Sequence, residues 1–341
     1  MTNTKRPSGH SRILGTGSHL PDRIVKNDDL KAFMETSDEW IRQRTGIEER
    51  RWVDPQSDTG PSDLALEASL KALTSAKVER SELDCIIFAT LSPDHDFPGS
   101  GCFLQAKLGV PGIPAIDIRQ QCTGFIYGVS IADQFIRTGS YRRVLVVGAE
   151  VHSRGVDKST RGRDVAVLFG DGAGAVIMGP AEDDRGSCVL STHLHADGRF
   201  AKELWLPLPG NAHPGDRLTA DLLNGNEYPQ MNGKSVFMHA SKRMPEAVIE
   251  ALDANHMSVG DVDLFVFHQA NLRINELVAK QLGIPEEKVF NTIQKFGNTT
   301  AATIPIGLDE AVRAGKLKPG MIVASAAFGS GFTWASAVFR W

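Results

Sequence analysis

A chain of 341 residues, 41% hydrophobic and 23% charged, is long enough for two domains or one large α/β unit with a packed core. A net charge of −4 argues against a nucleic-acid binder, and no apolar run reaches the length of a membrane span. Four cysteines (Cys85, Cys102, Cys122, Cys188) lack CxxC spacing, which argues against zinc or a disulfide framework and suits a reducing, cytoplasmic setting.

The N-terminal MTNTKRPSGHSRILG has basic residues but not the apolar core of a secretory signal. Residues 72–89, ALTSAKVERSELDCIIFA, read as a helix end, a polar turn and a buried strand. PAIDI (114–118) is a short strand, and Phe125, Val129, Ala132 and Ile136 recur at helical spacing just after it. Cys122 therefore sits at a strand-to-helix junction, near a helix N-terminus that favours a thiolate. Taken alone, it reads first as a small buried hydrophobe. RVLVVGAE (143–150) and VAVLFGDGAGAVIMG (165–179) read as strands. A polar stretch at 180–190 marks a boundary, giving halves 1–182 and 183–341.

Residues 192–234 are rich in Gly, Pro, Asn and Asp and read as a long excursion that shapes a binding site. His193 and His195 have HxH spacing there, but no further ligand completes a metal site. Residues 251–268, ALDANHMSVGDVDLFVFH, align without gaps on 72–89, which suggests two similar α/β halves. This copy ends in His268, where a strand's C-terminal end points toward the usual ligand crevice; a hydrogen-bonded structural histidine is the alternative. Residues 271–282 and 302–314 are helical patterns, and Asn298 precedes the second, where taken alone it reads as an N-cap. MIVASAAF (321–328) and TWASAVFRW (333–341) close the chain as strands. Largely apolar strands of this kind suit sheets covered on both faces.

Five stretches in order, TSDEWIRQRTGI (36–47), GDGAGA (170–175), HQANLRI (268–274), GNTTAATIP (297–305) and FGSGFTW (328–334), resemble the thiolase superfamily, and within it β-ketoacyl-acyl carrier protein synthase III. The resemblance implies a duplicated, five-layered αβαβα fold. It implies that Cys122 takes an acyl group from acyl-CoA, and that malonyl-acyl carrier protein then loses carbon dioxide and attacks the acyl-enzyme to give a 3-oxoacyl product in fatty-acid initiation. His268 and Asn298 would donate to the enolate oxygen, and the amides of Cys122 and the Gly329–Ser330 turn would hold the acyl oxyanion. Thr36, Trp40, Arg44, Arg161, Gly233, Phe237 and Asn271 fall on CoA-binding positions, with Trp40 and Arg161 flanking the adenine. Phe97 and Phe328 fall on the acyl pocket, Phe97 reaching across a homodimer. Arg273 and Lys280 match the carrier-protein docking patch. No metal or other cofactor is implied.

Some positions depart from the housekeeping pattern. RQQ (119–121) replaces small residues, Ser330 stands where glycine is usual, and Met238 where a docking base is usual. These leave the acyl chain and the second substrate open, with transfer to another nucleophile or malonyl-CoA as alternatives. A thiolase would need a second cysteine in AAFGSGFTWAS, which has none. A non-catalytic acyl-CoA binding protein could lose any of Cys122, His268 and Asn298, yet all three are present.

Overall fold

The computed structural model describes residues 9–183, 186–212 and 224–341. In chain order the strands are β1 (Ser11–His19), β2 (Ile24–Lys26), β3 (Glu49–Arg51), β4 (Cys85–Ala89), β5 (Ala115–Ile118), β6 (Val144–Glu150), β7 (Gly172–Pro180), β8 (Cys188–Ala196), β9 (Leu204–Trp205), β10 (Gln230–Met231), β11 (Leu264–Phe265), β12 (Ile322–Gly329) and β13 (Thr333–Arg340). β4 and β6 are buried along their whole length. Their uninterrupted apolar runs need cover on both faces, as a central position in a sandwiched sheet provides.

One sheet has the order β1-β7-β6-β4-β5, with β4 parallel to both β5 and β6. The other has the order β11-β12-β13-β8, with β11 parallel to β12. Every strand of the first sheet lies before residue 181, and every strand of the second after residue 187. Helices Pro61–Ala76 and Ser100–Leu108 pack on one face of the first sheet. Helices Gly124–Arg137 and Thr303–Arg313 share a core with both sheets and so fill the space between them. Helices Gly233–Ala254 and Leu272–Leu282 cover the far face of the second sheet. The order of layers is therefore αβαβα, with one helix from each half in the middle.

The internal echo has a structural counterpart. Each copy is a helix, a one-turn 3-10 segment (Arg80–Glu82 or Val259–Asp261) and a strand (β4 or β11). The central layer is pinned by polar contacts as well as apolar ones. Asp309, on helix Thr303–Arg313, accepts from Thr16 Oγ1 at 2.8 Å and Ser18 Oγ at 2.6 Å on β1, tying the second half's helix to the first half's sheet. Burying a carboxylate this way is tolerable because both oxygens are bonded.

Two expectations about elements need correction. Residues 165–179 are not one strand: Arg163–Ala166 is a short helix and β7 begins only at Gly172. The carboxylate of Asp171 holds the turn between them, accepting the Val53 and Ser153 amides at 2.8 Å each. Residues 192–196 belong to β8, paired with β13 through Ala196 opposite Thr333, so the irregular excursion starts later. It contains a 3-10 segment (Gly198–Glu203) and the β9–β10 pair, and 213–223 lie outside the described residues.

Candidate active site

Cys122 lies in a 3-10 turn, Gln121–Thr123, that runs directly into helix Gly124–Arg137. The preceding Gln121 has φ +44°, a left-handed conformation that costs energy for a residue with a Cβ. This sharp turn sets the cysteine between the end of β5 and the helix N-terminus. Gly329, the last residue of β12, passes close behind it. A Cβ there would meet Cys122 Cβ at 2.7 Å and Sγ at 3.1 Å, so only glycine fits. The approach brings the Ser330 N–H to the cysteine sulfur, where it joins the N–H of Cys122 itself. Two backbone donors thus converge on the sulfur, an arrangement able to hold an oxyanion beside it.

Helix-end placement led us to expect a thiolate. Burial and the nearby Glu150 carboxylate instead push the Cys122 thiol up to about 12, against the pull of the two amides. The resting nucleophile is a thiol and must lose its proton as it attacks.

His268 follows β11, and its amide donates to Ala326 O on β12 at 2.9 Å, three residues before Gly329. Its ring is buried and pushed down to about 3, so it is neutral. Nδ1 lies 2.7 Å from Thr303 Oγ1, and Nε2 is buried with no partner. Asn298 is held by the first half: its amide donates to Leu168 O at 2.8 Å, and its carbonyl accepts from Gly170 N at 3.1 Å. The glycine there is needed for close passage, since a Cβ on Gly170 would lie 2.2 Å from Phe296 O. Asn298 Oδ1 accepts from Thr300 N at 2.8 Å, which orients the side chain and leaves its NH2 to donate elsewhere. The Cys122 turn packs against both β12 and the Thr300–Ala302 turn. Nucleophile, imidazole and amide therefore belong to elements that meet at one junction between the halves.

A second buried layer escaped sequence reading. Glu150, the last residue of β6, is fully buried and accepts from Thr90 Oγ1 at 3.0 Å, Ser92 Oγ at 2.6 Å and Ser92 N at 3.1 Å. Burial nonetheless pushes its carboxyl up to about 7. His152, neutral through burial, lies 2.6 Å from Thr300 Oγ1. Thr300 itself has φ +48°. The available signal was a carboxyl ending the apolar run RVLVVGAE and three hydroxyls crowded into GNTTAATIP.

The more peripheral positions divide. Trp40 carries the guanidinium of Arg44 at 4.4 Å and that of Arg163, not Arg161, at 4.7 Å. Arg161 is bonded to Asp157 at 2.7 Å and lies 5.9 Å from Tyr228. Thr36 Oγ1 is buried and unbonded, near the start of the Trp40 helix. Asn271 is an N-cap: its Oδ1 takes Arg273 N at 2.9 Å and its NH2 donates to Arg44 O at 3.0 Å. Arg273 is drawn into capping the Trp40 helix, donating to Gln43 O at 3.1 Å and Arg42 O at 3.0 Å and pairing with Glu276. Its guanidinium is thus already occupied, whereas Lys280 is exposed. Gly233 begins helix Gly233–Ala254, with Phe237 half-buried and Met238 57% exposed on its first turns. Phe328 is buried against Phe332 at 4.8 Å between ring centroids. Phe97 is 81% exposed.

Residues 116–198 match the family model for 3-oxoacyl-[acyl-carrier-protein (ACP)] synthase III, and residues 252–341 match the model for its C terminal part. The chain is 47% identical, over 97% of its length and 98% of the relative's, to a beta-ketoacyl-[acyl-carrier-protein] synthase III of Xanthomonas campestris pv. campestris. It is 46% identical to the protein of that name from Caldanaerobacter subterraneus subsp. tengcongensis, covering 96% of this chain and 97% of the other. The crystal structure of 3-oxoacyl-[acyl-carrier-protein] synthase III from Aquifex aeolicus superposes with a TM-score of 0.88 at 40% identity, covering 97% of this chain and all of that one.

Proposed function

Because the chain belongs to the 3-oxoacyl-[acyl-carrier-protein] synthase III family, we propose that it joins an acyl group from acyl-CoA to malonyl-acyl carrier protein by decarboxylative condensation. The observation that carries the reading is the convergence of the Cys122 and Ser330 amides on the Cys122 sulfur, with His268 and Asn298 each keeping an unbonded nitrogen at the same junction.

In the first half-reaction Cys122 Sγ attacks the thioester carbon, the two amides take the oxyanion, and CoA leaves. In the second, malonyl thioester loses carbon dioxide while His268 and Asn298 support charge on its oxygen. The resulting carbanion attacks the acyl-enzyme, forming the carbon–carbon bond and expelling Cys122. Asparagine suits this task because it donates without carrying a negative charge that would oppose the enolate.

The half-buried Trp40 ring with Arg44 and Arg163 offers a cation–π platform suited to the nucleotide end of CoA. Lys280 is an exposed cation suited to an acidic carrier protein. A homodimer would cover Phe97, which otherwise exposes a large apolar ring to water. The four free thiols suit the cytoplasm.

Incubation with acyl-CoAs from acetyl to long-chain, read by intact mass, tests the first half-reaction. A single acyl adduct that disappears in Cys122→Ala is expected. An adduct that survives that substitution, or none from folded and reduced protein, contradicts the proposal.

A further inference from the structure

The amide of Asn298 has two ends, and only one of them can donate. Turned by half a rotation, it would present its oxygen to the malonyl thioester and oppose charge there. The N–H of Thr300, 2.8 Å from Asn298 Oδ1, sets the rotation, because a donor bonds only the oxygen end. Thr300 is itself held in an uncommon way. It is fully buried, and its φ of +48° is an outlier for a β-branched residue, a conformation that the surroundings must maintain. Its carbonyl accepts from Thr303 Oγ1 at 2.9 Å, and its hydroxyl lies 2.6 Å from Nε2 of His152.

His152 comes from the first half of the chain and has no part in either half-reaction. Its N–H donates to the Asp171 carboxylate, and its ring packs on Phe169 at 4.5 Å between centroids. Phe169 in turn is bridged to Asn298 through the backbone. We infer that His152 is a positioning residue for the condensation step: through Thr300 it fixes which end of the Asn298 amide faces the reacting oxygen.

Packing alone does not call for a histidine here. A phenylalanine ring would fill the same space against Phe169 without burying ring nitrogens. The bond from Nε2 goes instead to the residue whose N–H anchors Asn298, and the ring is neutral, so it serves the hydroxyl without burying a charge. Without Nε2, Thr300 Oγ1 becomes a buried hydroxyl with a lost partner. Relaxing φ toward the ordinary range then swings the peptide that carries the Thr300 N–H away from Oδ1. The consequence rests on the two-step reaction proposed above. Acylation uses the Cys122 sulfur and the two amides beside it, whereas Asn298 serves condensation alone, so loss of His152 should divide the two half-reactions.

His152→Phe keeps a ring against Phe169 and deletes the bond. Thr300→Val deletes it from the other side, and serves if the first variant does not fold. Acylation by acyl-CoA, followed by intact mass, should run at the wild-type rate. Single-turnover condensation of the acyl-enzyme with malonyl-acyl carrier protein should slow roughly 10-fold, the effect of one lost hydrogen bond. His152→Gln, with a terminal amide in place of Nε2, should restore most of that rate. In an Asn298→Ala background, His152→Phe should slow condensation no further. Wild-type condensation in both His152→Phe and Thr300→Val, equal slowing of the two half-reactions, or an undiminished effect without Asn298 overturns the inference. A crystal structure of His152→Phe judges it without the reaction: the Asn298 Oδ1–Thr300 N bond should be broken, and an intact bond overturns it. A wild-type adduct that never condenses faults the reaction, and the crystal structure then decides on His152.

Discussion

At the scale of single residues, the site sets a buried thiol against a buried carboxyl. Burial pushes Cys122 up to about 12 and Glu150 up to about 7, and the Glu150 charge adds to the first shift. The sign follows: above pH 7, where Glu150 is ionised, its negative charge opposes forming a thiolate. Glu150→Gln removes that opposition. Alkylation of Cys122 by iodoacetamide, followed against pH, should therefore show its midpoint moved downward in the variant. An unmoved or raised midpoint would mean that Glu150 does not act on the thiol. Cys122, His268 and Asn298 stand out in the sequence only through the five motifs taken in order, because each residue type singly also fits a structural task. Glu150, His152, Thr300 and Thr303 do not stand out, because their importance lies in partners distant along the chain. The contact of Arg163 with Trp40 was hidden as well, because it depends on the short helix Arg163–Ala166, which apolar patterning did not reveal. Asn271 and Arg273 each have a structural task that residue type alone does not reveal, since both bond the ends of helices.

Among the elements, β12 matters most for the chemistry. Its backbone holds His268 through Ala326 O, and its last residue is pressed against Cys122. Gly329→Ala would drive a methyl group into Cys122 and shift the Ser330 amide. Overpacking of this kind costs ~1–3 kcal/mol, measurable as a lower denaturation midpoint. Losing one oxyanion donor slows acylation by roughly 10²–10³-fold. A variant that acylates at the wild-type rate would show that this contact does not shape the oxyanion site. Apolar periodicity made β4, β6, β12 and β13 legible, along with helices Leu272–Leu282 and Thr303–Arg313. The break before β7 was hidden because an apolar helix turn and an apolar strand look alike over a few residues. The true length of β8 was hidden too, since its polar residues are supported by pairing with β13 and not by their own pattern.

On the scale of the whole molecule, duplication explains why the site lies where it does. Each half contributes a sheet and one helix of the central layer, and the functional groups come from both: Cys122 from the first, His268 and Asn298 from the second. Asn298 is even held by first-half backbone at Leu168 and Gly170. The constant offset between residues 72–89 and 251–268 made two halves legible. How they stack into five layers could not be read from periodicity, which reports which face is apolar but not what covers it. Separation of the two half-reactions is the central claim, and one experiment tests it most directly. Enzyme acylated at Cys122 is freed of CoA and mixed with malonyl-acyl carrier protein in a single turnover, following the 3-oxoacyl product and carbon dioxide together. Wild type should release both in equal amounts as the adduct disappears. His268→Ala and Asn298→Ala should carry the same adduct yet condense roughly 10²-fold or more slowly. Adducts that condense at the wild-type rate without either side chain, or a wild-type adduct that never condenses, would contradict the account.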